Sequence, residues 1–316
     1  MANISVNTSL LNDSYVDPSQ AEYRRYVSFI MHVVTYIIIC IGLPLTLMAI
    51  YALYSQVQGG LQNVFITSHL LFLFLYFPQV KNGHVAPIYI INLFISDLIQ
   101  LCCLIAWESK PEEQMITNTV GRTYIWGVLT SIGFMVCISL ERYLVIAHPL
   151  WYRFRRTIRI SVAVCVVVWI ISLVLSFTVF PWVTRFVARI ILSIFFIIPF
   201  PLFIFFLVGT LRALSTSVSV PSDEKQRIVA ILVLVLLIYT LLFLPYIFVI
   251  TVGIYSYDDT LRLLSLMFVR LSPLADLLLY VFIKKETFGK LWTSVCCCRK
   301  ENNDTNNTNT INLDHM

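Results

Sequence analysis

Apolar and polar positions in this chain come in blocks. Seven predominantly apolar blocks fall at 27–54, 86–107, 119–146, 158–180, 186–211, 226–255 and 261–283. Each is long enough for about 20 helical residues, the length that crosses a ~30 Å hydrocarbon core. The pattern predicts an all-α membrane protein with a bundle of seven transmembrane helices. An eighth apolar block, "VFITSHLLFLFLYFP" at 64–78, sits where a short polar loop belongs. As a helix it rises only about 21 Å, well short of a span. It reads as an interfacial or re-entrant segment, with an eighth span as the alternative. The dipeptide "QV" closes "YSQV" at Val57 and recurs at 79–80, so removing 58–80 leaves "YSQVKNGHVAPIY", a short turn. The segment 58–80 is therefore expected to be an apolar insertion in the first cytoplasmic loop, such as a retained intron.

Charge gives the blocks a direction, because basic residues collect in cytoplasmic loops. Arg142, Arg153, Arg155, Arg156 and Arg159 crowd the third-to-fourth connection, and Arg212, Lys225 and Arg227 the fifth-to-sixth. Lys284, Lys285, Lys290, Arg299 and Lys300 follow the seventh block, while Glu108, Glu112, Glu113, Asp258 and Asp259 mark the opposite face. The C-terminus is expected inside and the N-terminus outside. Three glycosylation sequons, at Asn3, Asn7 and Asn12, agree with that placement. An eighth span would strand them. The leading segment has no basic start, apolar run and small-residue cleavage site, so it does not read as a signal peptide.

Composition sharpens the class. Only 12% of the 316 residues are charged and 59% are hydrophobic, with about twice that charged share usual in soluble domains. The mean hydropathy is +0.83. The sequence offers no nucleophile–base pair and no metal-ligand spacing, so an enzyme is not expected, nor is a nucleic-acid partner.

Polar residues inside the blocks narrow the reading, since ionisable groups within a span are rare and usually functional. The second block carries "IYIINLFISDLIQ" with Asn92 and Asp97, and the third ends in "SLERYLVIAHPL" with Glu141, Arg142 and Tyr143. Trp169 lies in the fourth, "LFLPY" around Pro245 in the sixth, and "LADLLLYVF" in the seventh. In that order and spacing the chain resembles a rhodopsin-like (class A) G-protein-coupled receptor over nearly its whole length. "ICIGLPLTLMAIYALYSQV" and "FLPY" are similar to the proton-sensing group and its purinergic and lipid relatives.

The resemblance implies roles. Glu141 and Arg142 would form a restraint whose freed arginine contacts a heterotrimeric G protein, with Tyr143 completing the motif; a merely snorkelling Arg142 is the alternative. Phe243, where the family usually has tryptophan, would be the packing switch above Pro245, whose missing N–H permits a kink. Tyr280 would swing inward on activation. Asp97, Ser131 and Asp276 would form a sodium pocket. Two carboxylates in one dry site either share a proton or hold a cation, and a neutral Asp97 in a structural hydrogen-bond cluster is the alternative. After the seventh helix, "KKETFGKLWTSVCCCRK" reads as a short amphipathic eighth helix on the inner leaflet. Cys296, Cys297 and Cys298 are candidate palmitoylation sites there.

Several positions depart from the family pattern. Thr117 stands near the usual outer cysteine, Leu277 replaces the proline of helix seven, Thr46 the asparagine of helix one, and Leu207 the inner tyrosine of helix five. No outer disulfide is expected. Of five histidines only His32 lies near the outer face, and clustering of Glu108, Glu112 and Glu113 has no support in the sequence. The expected organisation is an extracellular tail (1–26), a bundle (27–283) and a cytoplasmic helix and tail (284–316), in the plasma membrane among lipids. The expected function is transmission of an extracellular stimulus, whether a proton, a lipid or a nucleotide-like ligand, to a G protein. The rivals are a non-signalling product of an aberrant transcript and a transporter or channel.

Overall fold

The computed structural model describes residues 18–58, 86–109, 112–148, 150, 152, 158–216, 222–252 and 259–283. The insertion at 58–80 therefore lies almost wholly outside the described residues. So do the N-terminal sequons, the amphipathic segment and Cys296, Cys297 and Cys298. Seven helices in the described residues are long and apolar enough to cross a membrane. In hydrocarbon every backbone donor and acceptor must be met within the chain, and a helix meets them locally.

The helices are α1 (Pro18–Gln58), α2 (Ala86–Glu108), α3 (Gln114–Ala147), α4 (Ile158–Val174), α5 (Arg185–Ile197 continued by Pro199–Thr216), α6 (Ser222–Val252) and α7 (Asp259–Arg270 continued by Ser272–Ile283). α4 widens into a π-helical turn over Leu175–Val179 before ending at Phe180–Trp182. Helix α1 starts well before the apolar block at 27, because "PSQAEYRR" opens with a proline suited to a first turn and continues with good helix formers. Thr184 caps α5, its hydroxyl accepting from the Val187 N–H at 3.4 Å.

Two of the breaks have a cause in proline. Pro199 and Pro201 each remove a ladder donor from α5, and Tyr239 Oη on α6 donates to the Phe196 carbonyl at 2.5 Å beside that gap. In α7 the break falls at Leu271, two residues before Pro273, and the Leu274 N–H bonds the Leu271 carbonyl at 3.1 Å. The family pattern places this proline nearer position 277.

Helix α3 is the hub, touching α2, α4, α5 and α6, while α1 packs on α2 and α7 and α6 on α5 and α7. Small residues allow the close approaches. A Cβ on Gly133 would meet Val168 Cγ1 at 2.7 Å, so α3 and α4 pack as closely as a bare Cα permits. Asn92 accepts from Trp169 Nε1 at 3.0 Å, joining α2 to α4. The core is aromatic and branched, with Phe94, Phe134, Phe203, Tyr239 and Phe243 fully enclosed. The outward faces are equally apolar, including Phe29, Ile37, Val167, Ile170, Phe205 and Leu241. A surface of that character needs lipid around it, since a soluble protein rarely exposes such continuous apolar area. The protein is a multi-pass membrane protein.

Candidate functional site

The polar residues of the bundle gather at three levels along its axis. At the middle level α2, α3 and α7 bring Asp97, Ser131 and Asp276 together. Ser131 Oγ donates to Asp276 Oδ2 at 3.0 Å across 145 residues of sequence. Both carboxylates are fully buried and lie within electrostatic reach of each other. Gln100 Nε2 donates to Asp97 Oδ1 at 3.3 Å, and Ser272 Oγ donates to Gln100 Oε1 at 3.3 Å. Asp97 Oδ2 and Asp276 Oδ1 are buried with no donor, and the two carboxyls lie within hydrogen-bonding reach of each other should one of them carry a proton. Buried oxygens of that kind are costly unless something neutralises them.

The donor set is made of hard oxygens, two carboxylates and a hydroxyl, which suits a cation of the alkali or alkaline-earth type better than a soft metal. Among the described residues no group of three or more His, Cys, Asp or Glu forms a metal cluster. Two carboxylates and a hydroxyl are donors that fit a small hard cation, and the carboxylate pair equally fits a shared proton.

At one end of the bundle lie Glu141, Arg142 and Tyr143. Tyr152 Oη donates to Glu141 Oε1 at 3.0 Å, a contact with the segment that follows α3. Arg142 is half-buried, and its Nε has no hydrogen-bond partner. Tyr143 faces α5: its ring stacks on Phe206 with centroids 5.8 Å apart and planes at 30°, and tilts against Phe205 at 5.7 Å. It fits because Gly209 has no side chain; a Cβ there would stand 2.6 Å from Tyr143 Cε2.

On α6 Phe243 is fully buried in an aromatic stack. Its ring lies 4.9 Å from Tyr239 and 5.5 Å from Phe196, and Phe196 meets Tyr246 edge-on at 5.6 Å. Pro245 lies two residues on, inside α6. Tyr280 packs edge-on against Phe94 at 5.5 Å, and its hydroxyl is buried without a partner. The structure thus brings Asp97, Ser131 and Asp276 into one cluster. It keeps the Glu141–Tyr143 motif and the Phe243 stack as separate groups.

A third polar level, at the Glu108 end, was not legible as a site. His32 Nδ1 and Glu108 Oε2 lie 2.6 Å apart. An ionised carboxylate can only accept, which puts a proton on Nδ1 in this contact. Arg270 Nη1 stands 4.0 Å from Glu108 Oε1 and donates to Thr35 Oγ1 at 2.7 Å. Its guanidinium carbon sits 6.0 Å from the centre of the Trp107 ring. Glu108, only 7% exposed at its side chain, so links α1, α2 and α7. Its partners are bases, and Glu112 and Glu113 remain exposed. Arg270 carried a signal, a charge within an apolar span. Gln100 carried another, a polar residue one turn beyond Asp97 on the same helix face.

Comparison with known proteins agrees with this geometry. Residues 68–280 match the family described as the 7 transmembrane receptor (rhodopsin family). G-protein coupled receptor 68 of Homo sapiens is 29% identical over 116 residues, covering 34% of this chain and 32% of that protein. The type-1 angiotensin II receptor of Gallus gallus is 26% identical over 137 residues, covering 41% and 38%. The chain spans about a third of the length of the curated relatives it matches. The family match extends over more than half of the chain. With seven spanning helices and polar residues converging from α2, α3 and α7, the chain belongs to the rhodopsin family of seven-transmembrane receptors.

Proposed function

We propose that this receptor transmits an extracellular stimulus across the plasma membrane to a heterotrimeric G protein, with its N-terminus outside and its C-terminus inside. The observation that carries the reading is the buried convergence of Asp97, Ser131 and Asp276 from three helices. Such a cluster has two arrangements, loaded and empty, and gives α7 a reason to move relative to α2 and α3. A stimulus acts by favouring one of two pre-existing states. Asp97, Asp276 and Ser131 would hold sodium in the resting arrangement, where the ion would supply a positive charge to offset the two carboxylates.

On activation α6 pivots near Pro245, the Phe243 stack repacks, and Tyr280 turns its unpartnered hydroxyl towards the opened interior. Arg142, whose Nε is without a partner, is then the group offered to the G protein. Tyr143 holds the adjacent face of α5. Glycans at Asn3, Asn7 and Asn12 and lipids on Cys296, Cys297 and Cys298 complete the proposed membrane arrangement.

Among the candidate stimuli, the proton is favoured by the 2.6 Å contact between half-exposed His32 and buried Glu108. A positive charge on His32 would add a second cationic group to Glu108 beside Arg270. The test is agonist-independent nucleotide exchange on a co-expressed G protein, compared with Arg142→Ala at matched surface expression. Exchange lost in Arg142→Ala supports the reading. Exchange absent from the unaltered receptor at both neutral and acidic pH, or unchanged in the variant, removes it.

A further inference from the structure

Gln100 is the one fully buried amide beside the carboxylate pair, and its two ends face different helices. Its Nε2 donates to Asp97 Oδ1 on its own helix at 3.3 Å, and its Oε1 accepts from Ser272 Oγ on α7 at 3.3 Å. The two contacts fix the amide's orientation. An ionised Asp97 can only accept, so the NH2 must face it, and the oxygen is left for the Ser272 hydroxyl. The stem is confined as well. Gly127 of α3 lies so close that an added Cβ would meet Gln100 Cγ at 2.8 Å and the Ser96 carbonyl at 3.2 Å. A fixed, confined amide holds Asp97 Oδ1, which leaves Oδ2 as the oxygen without a partner.

Ser272 is placed with equal care. It is the first residue after the break in α7, where the ladder restarts from the Leu271 carbonyl. Two residues earlier Arg270 closes the preceding segment and reaches Thr35 and Glu108. One turn of α7 therefore touches both the buried carboxylates, through Gln100, and the Glu108 end, through Arg270.

We infer that Gln100 is a positioning residue of the cation site: it orients Asp97 for the ion and, through Ser272, ties the loading of that site to the broken turn of α7. The inference rests on the reading of the Asp97–Asp276 pair as a sodium site. An ion held by Asp97 and Asp276 would reset the spacing of the two carboxylates. Asp97 can follow only as far as the Gln100 amide allows, and the amide pulls on Ser272 as it moves. Without the amide, Asp97 turns freely and part of the binding energy goes into fixing it.

The test uses the purified full-length receptor in detergent, with thermal unfolding followed as sodium replaces choline at constant ionic strength. The readout is the sodium concentration at half-maximal stabilisation. Gln100→Met keeps an unbranched chain of similar length and removes both polar contacts; it is expected to raise that concentration about tenfold, as loss of one hydrogen bond to a charged group does. Ser272→Ala touches neither carboxylate and is expected to raise it about threefold, as loss of a neutral hydrogen bond does. Thr130→Ala, next in the chain to Ser131 but bonded towards α4, removes the 2.6 Å contact with Ser172 and neither contact of Gln100; it is expected to lower stability with no change in the sodium midpoint.

A midpoint that is abolished by Asp97→Asn yet unchanged in both Gln100→Met and Ser272→Ala overturns the role of Gln100 alone. A midpoint that moves equally in Thr130→Ala also overturns it, because the readout then tracks stability rather than positioning. No sodium response in the unaltered receptor, or one that survives Asp97→Asn, overturns the cation site itself and the inference with it.

Discussion

Gly209→Ala is a one-carbon change whose effect depends on a single aromatic ring. The new Cβ would stand 2.6 Å from Tyr143 Cε2 and 3.2 Å from Cδ2. Ordinary contacts are at about 3.5–4.0 Å, so the ring must withdraw by roughly 1 Å. The ring is held by stacking on Phe206 and by Phe205, and moving it forfeits part of an aromatic contact worth about 0.5–1.5 kcal/mol. Forcing the side chain off its rotamer adds about 0.5–1.5 kcal/mol. Against these, alanine is better than glycine inside a helix by about 1 kcal/mol. The net expectation is a loss of about 0–2 kcal/mol. The sign reverses when the ring is absent. In a Tyr143→Ala background the three nearest atoms to the new Cβ are gone, so the change keeps its helical gain and stabilises by about 1 kcal/mol. The assay is thermal unfolding of the four proteins of this cycle in one detergent, so that the coupling between positions 143 and 209 is isolated from the cost of either change alone. Stabilisation by Gly209→Ala to the same extent in both backgrounds would falsify the placement of Tyr143 against α5.

Trp169→Phe leaves Asn92 Oδ1 without its 3.0 Å donor; a loss of about 1–3 kcal/mol is expected, and much less when Asn92→Leu is already present, read by thermal unfolding. Glu108→Gln removes the charge that Arg270 approaches at 4.0 Å and His32 at 2.6 Å; the contacts are part-buried, a loss of about 1–3 kcal/mol is expected, and the added change Arg270→Gln should recover part of it in the same measurement. His32→Phe removes the 2.6 Å partner of Glu108 and is expected to flatten the response to acidification while leaving G-protein activation at neutral pH in place; an unaltered pH curve would put the proton elsewhere. Ser131→Ala removes the 3.0 Å donor to Asp276 and should weaken sodium-dependent stabilisation severalfold, measured by the same titration that tests Gln100.

The fold was readable because hydrocarbon leaves the backbone so little choice. Block length and charge bias were enough to place seven helices, and only their ends moved, as at α1, where helix formers carry the helix outward past the apolar boundary. Asp97 and Asp276 were also readable, because a carboxylate in the middle of a span needs a reason to be there, while Ser131 came only from its motif position in the family resemblance. The Glu108 end was hidden for a different reason. His32, Glu108 and Arg270 come from three helices and lie near span ends, where charges are ordinary. Only the packing of α1 against α2 and α7 turns them into partners. Tyr143 against Gly209 was equally invisible, since a glycine in an apolar helix gives no sign of which ring it admits.

The Glu108 cluster bears on the departures from the family pattern. The five described cysteines are free thiols, Cys40, Cys102, Cys103, Cys137 and Cys165, so none of them staples one end of the bundle. A disulfide acts chiefly by restricting the unfolded chain, by about 2–4 kcal/mol, and contributes equally to any native arrangement that keeps its geometry. The tie through Glu108 differs in kind. It exists only while α1, α2 and α7 keep one arrangement, so its strength counts in the balance between arrangements. The break in α7 at Leu271 is what lets Arg270 reach Thr35 while Ser272 turns towards Gln100. With a proline near position 277 in place of Pro273, the break would fall closer to Asp276 and these two contacts would no longer share a turn. Moving the proline by the pair Pro273→Leu and Leu277→Pro is therefore expected to uncouple the two ends: the sodium midpoint should cease to respond to His32→Phe or Glu108→Gln, even where each end still binds its own partner.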